Sequence, residues 1–404
     1  MQPVRDVKVD FFRGIAMFII FISHVPGNYW TLHIPARFGP SDATEMFVFC
    51  SGFASAIAFG GSFERNGFFA GCLRVVQRVW QIYWAHICLF LIIAALTVFA
   101  TDYLDTRDYV KQLNLVRFFE EPGEGLVHLL TLTYVPNYFD ILPMYMGVLA
   151  LLPIIILCTR IHVYVAMIFS VSLYAAAWHY QLQFPAEWWS NREWFFNPLG
   201  WQLLFFTGFL FGAGLVRAPE PNKWLILACI VFVLALIPLK HWALWKSHPL
   251  FTELSYFFWP SFAKTDFGIA RWLHFMALAY LAVCLLRGRE HWLAVPVLAP
   301  IIKVGQQALP VFLTSMVLSR IGGMVFDVYG KSAAVHLWMH AAGFLALIAT
   351  AYIASVFKAQ PWRKKPAAPA PARALPAQKP RQPAVRQGGT IGVAAPAYAH
   401  APER

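Results

Sequence analysis

Phe11–His24 reads FFRGIAMFIIFISH, a run apolar enough to sit in a bilayer that nonetheless has an arginine near its start and a histidine at its end. An arginine near the centre of a spanning helix costs about 2.5–3.5 kcal/mol on insertion scales, so such a residue is kept with a partner or a task. Whether this stretch spans a membrane decides the fold, because nine further apolar runs follow it. With 59% of its 404 residues hydrophobic, 13% charged and a mean hydropathy of +0.56, the chain has more apolar surface than a soluble core needs. The expected spans are 9–27, 42–60, 76–100, 140–158, 161–180, 199–217, 222–240, 269–286, 300–320 and 333–357. The sequence therefore reads as an all-α, polytopic integral membrane protein of about ten transmembrane helices.

The formal net charge of +12 is spread in short Lys/Arg clusters between apolar runs and in the last segment. That pattern sets topology and excludes a nucleic-acid face. With a cytoplasmic N-terminus, twenty-one of the thirty-two Lys and Arg residues fall on the inner side. Both termini are thus placed in the cytoplasm. The first run lacks a small-residue cleavage pattern and is read as a retained span. All six cysteines fall within spans or at their inner ends, so no extracytoplasmic disulfide is expected. Residues 1–358 form the membrane domain, and 359–404 read as a disordered, basic cytoplasmic tail. From Pro361 on, nine prolines and twelve alanines in forty-four residues leave little to bury. Its basic run at Arg363, Lys364 and Lys365 reads first as a stop-transfer flank, with contact to anionic lipid headgroups as the alternative. The long segment 101–139 contains amphipathic stretches expected to lie along the membrane.

Arg13 and His24 are eleven residues apart, about three turns, so they project from nearly one helix face about 16 Å apart along the axis. Asp10 precedes Arg13 by one turn and can pair with it. In SDATEMFVFCSGF, Ser41–Phe53, Glu45 enters the membrane at a depth comparable with His24. A carboxylate beside a neutral imidazole fixes its tautomer and stabilises the imidazolium, which makes His24 and Glu45 a candidate base and orienter. Ser51 and Gly52 are small enough to let a helix or ligand approach. Arg74 and Arg78 are spaced i, i+4 where the third span begins. With Arg13 they make three guanidinium groups near one membrane surface, suited to phosphate oxygens. Singly, these residues read as topology anchors or packing groups; their alignment from one membrane face to the other argues for chemistry.

Less sharply, eleven of the sixteen tryptophans fall in the outer half, among them Trp178, Trp188, Trp189, Trp194, Trp242, Trp245 and Trp259. That excess suits stacking on sugar rings and is equally well accounted for by the longer outer loops. Asp140 is placed to bond an acceptor hydroxyl or to cap the fourth span. His336 and His340 have an i, i+4 spacing but no third ligand nearby, so no metal site is expected.

The blocks DFFRG, the ten residues between Arg13 and His24, and EMFVFCSGF resemble the acyltransferase-3 superfamily. ISHVPGNYW, FGPSDATEMFVFCSGF, WQIYWAH (which includes His86), FDILPMY and FNPLGWQLLF narrow the resemblance to OpgC-type proteins over Asp6–Lys358. Those proteins succinylate osmoregulated periplasmic glucans in Gram-negative bacteria. The resemblance implies a multi-pass protein of the bacterial inner membrane with acyl-CoA, specifically succinyl-CoA, as cytoplasmic co-substrate and no bound cofactor. It implies a glucan hydroxyl as acceptor. It places the superfamily's essential Arg and His on Arg13 and His24, and its acidic residue on Glu45. The sequence departs from the family pattern in three places. Arg74 and Arg78 are spaced RxxxR rather than RxxR, Gln81 stands near an expected Pro, and Gln306 and Gln307 stand where related proteins tend to have Arg and His. A transporter of a glucan or acyl carrier, lined by the same polar residues, is the rival reading. Within the enzyme reading, direct transfer and an acyl-His intermediate both remain open.

Overall fold

The computed structural model describes residues 6–362. One compact unit ends at Ala359; of the unit that follows, Gln360–Arg404, only 360–362 are described. The predicted tail from 363 on, with its basic run, lies outside the described residues.

Each apolar run is helical because it offers no side chain that competes with the backbone for hydrogen bonds, and the lipid offers no partner either. In chain order the helices are α1 (Val7–His24), α2 (Ala43–Arg65), α3 (Gly67–Leu104), α4 (Ile141–Ile161), α5 (Val163–Tyr180), α6 (Pro198–Gly212), α7 (Lys223–Lys240), α8 (Ile269–Leu286), α9 (Ala308–Tyr329) and α10 (Ala333–Ala359). Eight of these are long and apolar enough to cross a membrane. The other two are α1, which carries Lys8, Asp10 and Arg13, and α6, with 15 residues. Among the described residues no strand forms, apart from an isolated bridge between Pro185 and Glu193. The chain is an all-α polytopic membrane protein.

Local signals set the ends of the two helices that matter most. Asp6 caps α1 by accepting from the Lys8 amide at 2.9 Å, and Pro26 with Gly27 (φ +73°) ends it. Asp42 and Glu45 form a reciprocal capping box at the start of α2. The expected span 300–320 is instead broken at Gln307, leaving a short helix, Ala299–Gln306, before α9. At 1.5 Å per residue, the 38-residue α3 is about 57 Å long, well beyond the ~30 Å hydrocarbon core. Its extra turns carry Arg74 and Arg78.

The centre of the bundle is α1, which buries Asp10, Arg13, Ala16, Met17, Ile20 and Phe21 against α2, α9 and the Ala299–Gln306 helix. Gly305 permits the closest crossing, since a Cβ there would run into the Asp10 backbone. Gly52 does the same for α2 against the Phe205 backbone of α6. The 101–139 segment folds into three short helices, Tyr109–Gln112, Val116–Glu120 and Pro122–Leu130. Its apolar face is partly spent on protein rather than lipid, with Phe118 set edge-on to Phe90 of α3 at 4.9 Å.

Candidate functional site

Two cavities flank the middle of α1. The one at its Arg13 end has a volume of about 450 Å³ and is lined by Arg13, Ser51, Arg74, Gln77, Arg78, Gln81 and Lys358, with no acidic side chain. The three arginines singled out by spacing therefore converge. Arg13 is a wall rather than a free arm: its Nη2 donates to Asp10 Oδ1 and its Nε to the Gly305 carbonyl, both at 2.6 Å. Arg74 and Arg78 keep their reach, and Gln81 accepts from Arg78 at 3.2 Å. Lys358, at the end of α10, is a fourth cation that sequence spacing could not bring here.

The cavity at the His24 end, about 510 Å³, is lined by His24, Asp42, Tyr138, Asp140 and Lys264. The imidazole thus faces a cavity, not lipid. Its Nδ1 lies 2.8 Å from the Ile20 carbonyl. A carbonyl only accepts, so the proton sits on Nδ1 and Nε2 carries the lone pair. Tyr138 meets the ring edge-on at 5.5 Å, its own hydroxyl donating to the Met316 carbonyl and the Arg320 guanidinium lying 5.4 Å from its ring. It adopts φ +94°, a backbone conformation that costs a non-glycine residue about 1–3 kcal/mol and is held only by its surroundings.

Glu45 is not the orienter of His24. Its Oε1 accepts from Arg271 Nε at 2.7 Å and pairs with Nη2 at 2.6 Å, while Oε2 accepts from the Asp42 amide at 2.7 Å. Both its oxygens are thereby committed and the residue is fully buried. The α2 carboxylate that reaches the His24 cavity is Asp42, three residues earlier. It accepts from Lys264 at 2.6 Å and lies 3.6 Å from Arg271. Burial alone would raise the Asp42 carboxyl, but Lys264 and Arg271 outweigh it and hold it well below the usual carboxylate range. Asp140 lines the same cavity and makes no side-chain cap to α4. Burial, partly offset by the Phe195 amide, pushes its carboxyl up to about 6.

Phe47, Ile141 and Phe312 line both cavities, so the partition between them is one side chain thick. The Phe47 and Phe312 rings stack across it at 6.1 Å. A third cavity, about 790 Å³, shares Asp42, Lys264 and Phe195 with the His24 cavity and adjoins it there.

Other sequence candidates lie elsewhere. His86 is fully buried with neither ring nitrogen hydrogen-bonded among the described residues, and it lines neither cavity. His336 and His340 belong to an aromatic stack with Tyr29, Trp30 and Phe326, and Asn28 occupies His340 Nε2 at 2.9 Å. Among the described residues no group of three His, Cys, Asp or Glu side chains is placed to hold a metal ion. Gln306 and Gln307 sit at the helix break before α9. Of the seven tryptophans expected on the outer side, Trp259 lines the third cavity. Trp178 and Trp194 instead donate to loop carbonyls, and Trp188 stacks on His128.

No curated protein and no solved structure matches the chain. A family model described as OpgC protein matches residues 5–359, which spans the whole of the helical unit and both cavities. By that match over nearly its full length, the chain belongs to the OpgC protein family.

Proposed function

We propose that the protein is a membrane O-acyltransferase that moves succinyl from cytoplasmic succinyl-CoA to hydroxyls of periplasmic glucans, in the bacterial inner membrane with its Arg13 side facing the cytoplasm. The observation that carries this reading is the pair of chemically unlike cavities separated by the thin Phe47–Ile141–Phe312 partition. One offers four cations and no acid, which suits the phosphates of a coenzyme A donor. The other offers an imidazole whose acceptor nitrogen is fixed by the Ile20 carbonyl.

In the reaction, the acyl arm passes the partition and presents its thioester carbonyl to the His24 cavity. The acceptor hydroxyl oxygen attacks that carbon as His24 Nε2 takes its proton. The thiolate leaves and is reprotonated by the imidazolium, and the ester is released on the far side. Asp42 lines the same cavity as the imidazole, and Lys264 keeps that carboxylate charged and in place.

Purified protein in detergent, given succinyl-CoA and a soluble glucan, is expected to yield succinylated glucan, because chemistry needs no compartments. No transfer in detergent, with movement of glucan or acyl carrier across vesicles, would make the protein a transporter instead. Within a working assay, Arg74→Gln, Arg78→Gln and Lys358→Gln each raise the KM for the donor about tenfold, the effect of one charged contact, with kcat little altered. A fall in kcat without a change in donor KM would remove these side chains from donor binding.

Asp140 supplies a pH test. Its carboxyl, pushed to about 6, is ionised and able to accept from a sugar hydroxyl at pH 7, and is protonated as the pH falls to 5. The acceptor KM therefore rises over that interval in the wild type. In Asp140→Asn the acceptor KM is high throughout and its pH dependence is lost, whereas an unchanged profile would assign Asp140 to structure alone.

A further inference from the structure

The third cavity has a charge that the reaction itself does not require. Four cationic side chains line it, Arg37, Lys240, Lys264 and Arg271, against one carboxylate, Asp42. Lys264 is neutralised by Asp42, and Arg271 is held by Glu45 behind the wall. Arg37 and Lys240 form no ion pair among the described residues. Arg37 Nε donates to the Thr31 carbonyl at 3.0 Å. The Lys240 ammonium rests over Trp259 and Phe262 at 5.6 and 5.3 Å. A half-buried ammonium at a helix end, stacked on aromatic rings and without a counter-ion, is a poor topology anchor. It is well placed to receive an anion from the cavity. The exposed faces of Trp259 and Phe195 in the same wall offer the flat apolar surface on which a sugar ring packs.

Resting on the transferase reading, we infer that this groove binds the acceptor through an anionic group, so that the preferred substrate is a saccharide already bearing phosphate or carboxylate near the hydroxyl to be acylated. The groove adjoins the His24 cavity through Asp42, Lys264 and Phe195, so one sugar can sit at His24 while a charged neighbour lies against Arg37 and Lys240. A succinyl half-ester left by an earlier turnover would satisfy the same cations as a phosphate, which would make one acylation favour the next.

The test uses the full-length protein in detergent and three probes of equal length: a neutral gluco-oligosaccharide, its phosphorylated form and its succinylated form. Binding is measured by titration calorimetry without donor. Either charged probe is expected to bind about tenfold more tightly than the neutral one at low salt, an advantage that shrinks as salt screens it. In Lys240→Gln/Arg37→Gln the preference falls to within about twofold, while the charge-conserving Lys240→Arg/Arg37→Lys retains it and guards against a folding defect. A preference for the phosphorylated probe alone places the charge outside this reaction; equal preference for the succinylated probe supports successive acylation. Equal binding of all three probes overturns the inference, as does a preference that survives in the double variant. Retention of anionic phospholipid by the wild type but not by the double variant, with no discrimination among the sugars, would make the groove a lipid site. If no acyl transfer is found but the charge preference holds, the transferase reading falls and the groove stands; transfer without preference removes the groove alone.

Discussion

His24→Ala is expected to lower succinyl transfer to soluble glucan by 10²–10⁴-fold, the range typical of a positioned general base. Donor binding is expected to be retained, because the proposed site for the donor's phosphates is the Arg74 cavity on the far side of the partition. The loss should be in kcat, since the imidazole acts as the hydroxyl proton is removed. The geometry makes the prediction specific to one nitrogen. The Ile20 carbonyl holds Nδ1, so His24→Asn, whose side-chain amide stands at the Nδ1 position and can still donate to that carbonyl but offers no basic nitrogen, should be as inactive as alanine. Glucan substitution by mass spectrometry and transfer by the purified variant both read the result. Transfer within a few-fold of the wild type, at equal protein abundance, would leave His24 without a chemical role.

Arg271→Ala is expected to destabilise the protein by about 3–5 kcal/mol, because it strands a fully buried carboxylate. Glu45 has no exposure and Arg271 is 4% exposed. The double variant Glu45→Gln/Arg271→Met removes both charges together and should be more stable than Arg271→Ala, though the Asp42 amide keeps a neutral acceptor at position 45. The midpoint of thermal unfolding in detergent measures both variants. This cycle also separates two explanations for inactivity at position 45. If Glu45 oriented His24, Glu45→Gln would lose activity with its stability intact. The ion pair with Arg271 predicts that activity and stability fall together. A stable, inactive Arg271→Ala protein would contradict that account.

The two predictions differ in how far the sequence could have supplied them. His24 and Arg13 were legible from an eleven-residue spacing within one helix, because 3.6 residues per turn fixes their shared face whatever surrounds them. Arg74 and Arg78 were legible as an i, i+4 pair, and Asp10 as the i−3 partner of Arg13, for the same reason. The capping box at Asp42 and Glu45 is equally local, yet it was the feature most easily misread. A carboxylate at the depth of a histidine suggests a pair, but Glu45 spends one oxygen on its own helix cap and the other on Arg271, 226 residues away. Lys264, Tyr138 and Lys358 were missed because each comes from a turn or helix end whose placement depends on other elements. Gln307 was passed over as the site of a helix break, although Gly305, Gln306 and Pro310 stand beside it, because the apolar residues on either side read as one continuous span.

Sequence alone determined that the chain is a bundle of membrane helices, since apolar runs in lipid must satisfy their backbone internally. It determined as well which residues share a face along α1 and at the start of α3. Tertiary structure alone decided which carboxylate stands near the imidazole, which cations line each cavity, and that three apolar side chains part the two. The physical reason is one of range. Helical periodicity is set by neighbouring peptide units, whereas an ion pair or a cavity wall is set by how closely separate helices approach. That approach depends on Gly52 and Gly305 lying against the backbones of helices distant in the chain.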